Sequence, residues 1–306
     1  MLKLLLITFF LPSILHSTED IFINTGDECL GVLDENLEKV RLPALVLHNG
    51  TILPSRTLDV MYLRNTIYSL KNKILQNQYL SDDGKKRVEN SIFVIEEARG
   101  ISSMYVCPPE NDEIYRLCVE VSFLNFIDLS IEKTQQAFAA LIMHEYSHIA
   151  FDDVNESISR SEELKTKQKE DLIDICKNAY EAAGCQEPLI SLENYSCPEL
   201  VDLEYNLSFK MKERRADLFA ATILNFTGIN EGLKIYNDIS DTLTSMNVEQ
   251  GSISDSHDSV PDRIKLIWLA QSDKISLNLS NGEIIHSANE EPICTTKLVK
   301  MIKQEN

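Results

Sequence analysis

The chain has 306 residues, 43% hydrophobic and 25% charged, the balance of a soluble globular protein with room for one large core. Its formal net charge is −19 and its Lys and Arg form no cluster, which argues against a surface built for nucleic acid or anionic lipid. With only six histidines and seven cysteines, the placement of each carries information.

The first element is "MLKLLLITFFLPSILHSTED": Lys3, an apolar run from Leu4 to Leu15 broken by Pro12, then small and polar residues. Crossing a bilayer takes about 20 apolar residues, so this run reads as a signal peptide over 1–18, cleaved near Ser17 or Thr18. The expectation is an exported protein, periplasmic or secreted, with no stable transmembrane segment in the mature chain. Export makes Cys29, Cys107, Cys118, Cys176, Cys185, Cys197 and Cys294 disulfide candidates, with one left over. Cys107 and Cys118 flank "PPENDEIYRL" and can staple a hairpin, whereas the spacings of Cys176, Cys185 and Cys197 match no zinc ribbon.

Residues 19–55 form an N-terminal extension in which "ALVLHNGTILPS" reads as a hairpin turning at Asn49-Gly50. Apolar residues at helical spacing predict a helix from Arg56 to about Leu80. "SIFVIEE", "SSMYV" and "EIYRLCVEVSF" read as strands, the last alternating from Tyr115 to Phe123 with one buried face. A helix follows from Glu132 to Phe151, then a polar helix over 156–183 ending near Gly184. Pro198 opens a long amphipathic helix that stops at Thr227-Gly228. Helices at about 230–247 and 261–271 flank the loop "EQGSISDSHDSV". The tail, 273–306, contains a second Asn-Gly hairpin at Asn281-Gly282. There is no internal repeat, and 56–272 reads as one compact α+β domain.

Chemistry concentrates in "AFAALIMHEYSHIAF", residues 137–151. On a helix, His144 and His148 share one face a turn apart, with Glu145 beside them. Ionisable groups on a helix this apolar are costly unless something satisfies them, and a divalent metal does so. Catalytic zinc takes three protein ligands and keeps a fourth position for water. Two glutamates compete to be the third ligand, each in a Glu-x-x-x-Asp setting: Glu170 with Asp174, and Glu213 with Asp217. Glu170 lies in a solvated segment, whereas Leu207, Met211, Leu218, Ala221 and Leu224 form a stripe that packs the helix of Glu213 onto the core. That contrast favours Glu213, with Asp217 one turn on to accept the second ring N–H of a ligand histidine.

"HEYSH", then "ERRAD", then "SHDSVPDRI" together resemble the gluzincin metallopeptidases that include HtpX, the CAAX prenyl protease and BepA. The likeness spans roughly 56–272, with its specific motifs in three short blocks. It implies a mostly helical zincin-type domain with a small mixed β-sheet beside the zinc helix. It implies one Zn2+ held by His144, His148 and Glu213, and Glu145 as general base. His257 would act near the metal, and Arg263 would orient its loop. Asp258 stands where the family has proline, and "SSMYVCPPEND" stands in place of the Asn-Ala-Phe and Gly-Gly signature. The implied activity is endoproteolysis of unfolded or partly folded polypeptides, with substrate lying along the segment from Glu113 to Phe126. The alternative is a catalytically silent zinc-binding chaperone or interaction protein. Arg214 and Arg215 read as helix residues paired with surface acids.

Overall fold

The structure, a computed structural model, describes residues 21–24, 30–32, 38–42, 44–46, 52–96, 104–107, 109, 114–183, 191–235, 238 and 258–287. Residues 1–18, the Asn49-Gly50 turn, His257, Cys29, Cys185 and Cys294 fall outside these. Strands β1 (Ile21–Asn24) and β2 (Leu30–Val32) are antiparallel. β3 (Lys39–Leu42) pairs with β6 (Arg56–Asp59), and β4 (Leu45–Val46) with β5 (Ile52–Leu53), the partners expected of the first hairpin. With β7 (Ile92–Glu96), β8 (Met104–Cys107) and β9 (Arg116–Glu120), the main sheet is mixed and five-stranded, in the order β2-β1-β7-β9-β8. β1, β7 and β9 run parallel and β8 runs antiparallel to β9. The 19–55 segment therefore contributes strands to the same sheet as the rest of the chain.

Helices cover this sheet, so the fold is α+β with a small mixed sheet. They are α1 (Val60–Leu75), α2 (Asp82–Glu89), α3 (Val121–Phe126), α4 (Glu132–Ala150), α5 (Asp153–Leu164), α6 (Lys169–Ala182), α7 (Cys197–Ile223) and α8 (Val260–Gln271). Residues 229–235 are also helical. Among the described residues no helix is long and apolar enough to cross a membrane. Register puts Phe93, Ile95, Leu117, Val119 and Met104 on one sheet face, where they meet Leu63 and Ile67 of α1, Phe138, Ile142 and Tyr146 of α4, and Phe219 of α7. Phe138, Ile142 and Phe219 are fully buried, and each such side chain contributes about 2–3 kcal/mol. A second apolar cluster joins Leu164, Leu172 and Cys176 to Leu200, Leu203 and Leu207 of α7. The apolar stripe of α7 thus serves two cores, with Glu213 between its two halves.

α7 begins as its sequence requires: Ser196 and Glu199 form a reciprocal capping box, with Pro198 in the first turn. α4 ends on Arg87, whose Nε and Nη2 donate to the carbonyls of Ile149 and Ala150 at 2.8–3.3 Å. A cation there satisfies carbonyls that have no partner inside the helix and complements its dipole.

Several expected boundaries move. The first helix begins at Val60, because Arg56–Asp59 pairs with β3 and Asp59 caps the helix by accepting from Tyr62 N at 2.8 Å. It ends at Leu75, and α2 follows with its own cap, Ser81 accepting from Gly84 N. The strand expected to reach Phe123 stops at Glu120 and turns into α3. Its residues 117–120 are all buried, because β9 lies between β7 and β8. The polar helix is two helices: Thr166 N and Lys167 N bond back to the carbonyls of Glu163 and Leu164, and this fold-back puts Leu164 and Leu172 in one core. The last hairpin, β10 (Ile275–Asn278) with β11 (Glu283–His286), pairs Asn278 with Glu283. Its loop is therefore the four residues 279–282, of which only Gly282 has positive φ. An Asn-Gly two-residue turn would need positive φ at both.

Candidate metal centre

From Ala137 to Ala150 every residue of α4 except Ala139 is buried, and α7 packs alongside. That packing brings the middle of α7 to the His144 and His148 face. His144 Nε2 lies 3.1 Å from Glu213 Oε2, His148 Nε2 lies 3.3 Å from Glu213 Oε1, and the two Nε2 atoms are 3.3 Å apart. The rings meet edge-on with centroids 5.0 Å apart. Donors about 2.0–2.1 Å from a tetrahedral metal are separated by about 3.3 Å, so the spacing matches one shared ion. Among the described residues this buried trio is the one group of His, Cys, Asp and Glu side chains close enough to hold a metal, and it can hold one.

Each histidine is braced from behind. His144 Nδ1 is 2.9 Å from Asp217 Oδ1, and Arg263 donates to both oxygens of Asp217, each at 2.7 Å. His148 Nδ1 is 2.8 Å from Asp153 Oδ2, while Arg215 Nη2 pairs with Asp153 Oδ1. With Nδ1–H donated to a carboxylate, each ring turns Nε2 toward the cluster, the nitrogen on which a metal would replace a proton. The Phe209 ring lies nearly parallel to that of His148, with centroids 6.4 Å apart.

Charges here are strongly coupled. Burial by itself lowers both histidine pKa values, but Glu213 outweighs it together with Asp217 for His144 and Asp153 for His148. His144 is pushed up to about 9, and His148 is raised well above its usual value. Burial disfavours the Asp217 carboxylate, yet Arg263 and then His144 hold it below the usual range. Lacking a metal, the site therefore takes up protons where an ion would sit.

Of the two glutamates weighed, the fold brings Glu213 to the histidines, while Glu170 sits exposed in the first turn of α6. Glu145 is buried in α4, adjacent to His144. Asp217 occupies the place expected of it. Arg263 clamps Asp217 from behind, and the loop of residue 257 that it was expected to orient lies outside the described residues. Arg214 and Arg215, expected to pair with surface acids, pair with buried ones: Arg214 Nε bonds Asp258 at 2.5 Å and Arg215 bonds Asp153. Within the segment Glu113–Phe126 expected as a rim, Arg116–Glu120 is the interior strand β9; among the described residues the edges of the five-stranded sheet are β2 and β8.

Asp153 is the site residue that the sequence reading missed. It stands five positions after His148, off the helical face, and reaches the ring because Asp152 adopts φ 61° and reverses the chain. The signal was the Asp-Asp pair just after the helix that carries His144 and His148.

Comparison of the chain with family models, with curated proteins and with solved structures finds no match. What the protein does must be inferred from its donor set and what surrounds it.

Proposed function

We propose that the protein is a zinc-dependent endopeptidase of gluzincin type, acting on unfolded or partly folded polypeptides. The observation that carries this reading is the convergence of His144, His148 and Glu213, each histidine backed by its own Asp–Arg pair. Two imidazoles and one carboxylate form the donor set of catalytic zinc with a position left for water. When bound, zinc is a Lewis acid that lets water ionise near neutral pH and shares charge on a carbonyl oxygen. Glu145 takes the proton from the attacking water on its carboxylate and passes it to the departing amine nitrogen. A structural site needs no such base, and the presence of Glu145 beside a ligand favours catalysis. The edge strand β8, packed near α4, suits an extended peptide that adds one more strand.

Metal analysis of the purified chain and three variants tests this. Zinc is expected in the wild type and in Glu170→Ala, and lost from Glu213→Ala. Glu145→Gln should keep its zinc while casein hydrolysis falls about 100- to 10,000-fold. Zinc loss in Glu170→Ala but not Glu213→Ala would overturn the ligand set. Zinc binding with no chelator-sensitive hydrolysis in the wild type would leave a non-enzymatic metal protein.

A further inference from the structure

The face of the sheet turned away from the main core carries Val94 together with a group of polar side chains and thiols. Register sets Cys107 opposite Arg116 and Tyr105 opposite Cys118, so Cys107, Tyr105, Cys118, Glu120 and Glu96 share it. Tyr105 donates its hydroxyl to Glu96, Ser122 donates to Glu120 at 3.2 Å, and the sulphurs of Cys107 and Cys118 lie 3.0 Å apart as two thiols. Neither cysteine belongs to the metal cluster.

We propose that Cys107 and Cys118 are a reversible dithiol–disulfide site, oxidised by exchange with low-molecular-weight disulfides, whose bridge ties the edge strand β8 to β9. The two positions are diagonal neighbours across an antiparallel pair, on one face. With the sulphurs already 3.0 Å apart, the bond closes with a small local shift, and the half-buried Cys107 on the edge strand leaves the bridge open to attack by an external thiol. An exchangeable bridge of this kind is one form of the staple that the sequence allows between Cys107 and Cys118.

The two thiols have different exposure and hence different roles. Cys107 is half-buried on the edge strand, and Cys118 is 1% exposed in the interior one. The hydrogen bond with Cys107, and then burial, raise the Cys118 pKa and keep that thiol protonated. Attack on an external disulfide begins at Cys107. Its thiol gives up a proton, the thiolate attacks one sulphur of RSSR, and RS− leaves from a mixed disulfide. Cys118 then loses its proton and attacks the Cys107 sulphur, expelling the second RS−. The two protons released equal those taken up by the two RS−, so the dithiol is oxidised and RSSR becomes two RSH.

The test uses the full chain in oxidised glutathione, followed by alkylation, trypsin and peptide mass spectrometry. Trypsin cuts after Arg116, so the expected bond joins two separate peptides. Dithiothreitol without denaturant should release it. In Cys118→Ser the glutathione adduct should be trapped at Cys107, whereas in Cys107→Ser little or no adduct should form at Cys118. Both cysteines remaining alkylatable in oxidised glutathione would overturn the proposal. So would a partner other than each other, or a bond that reduces only after unfolding. No step reads hydrolysis or metal content, so this result is independent of the peptidase reading.

Discussion

Replacing Asp217 by Asn is the most searching perturbation of the centre. Asp217 has no exposed surface, and it accepts three N–H groups: Arg263 Nε and Nη2 at 2.7 Å, and His144 Nδ1 at 2.9 Å. A carboxylate offers acceptors in every direction, whereas the amide must turn its own NH2 toward one of these donors. If the amide oxygen stays with His144 and Nη2, its nitrogen faces Arg263 Nε, donor against donor. Arg263, itself buried, then loses its counter-charge. Breaking a buried pair from one side costs about 3–5 kcal/mol, so the urea midpoint of the metal-free variant should fall accordingly. Loss of the brace behind a ligand histidine should weaken metal affinity about 10- to 100-fold, read by competition with a chromophoric chelator. Adding Arg263→Met removes the stranded cation, so stability should partly recover while affinity should not. Affinity within twofold of wild type in the single variant, or restored in the double, would refute the brace reasoning.

The metal-free protein should also lose stability as pH rises. His144 titrates at about 9 when folded, against 6.5 unfolded. Its contribution is thus fully present below pH 6.5 and lost by about 9, a window worth on the order of 3 kcal/mol at most. A metal ion replaces those protons, so the metal-loaded protein should show no such decline and metal affinity should increase with pH; equal urea midpoints at pH 6 and 9 in the presence of chelator would contradict this. Gly228→Ala should destabilise by about 2 kcal/mol or more. Gly228 has φ +78°, and an added Cβ would stand 2.3 Å from the Gln136 carbonyl oxygen at the start of α4. A thermal midpoint unchanged from wild type would show that this contact can relax.

What the sequence determined was local. The 3.6-residue period alone places His144 and His148 on one face, and the capping box at Ser196 with Pro198 starts the long helix. The apolar stripe of α7 was enough to prefer Glu213, because a helix that packs on the core carries its central residues inward. Contacts that depend on a chain reversal or on a choice of neighbour were not legible. Asp153 reaches His148 only through the left-handed backbone at Asp152, and Arg263 reaches Asp217 only because α8 packs against α7. Alternation in β9 could not reveal that strands flank it on both sides, nor that β8 is one of the two edges. Spacing along a chain sets which side chains share a face, but which face meets which is decided by burial over the whole fold.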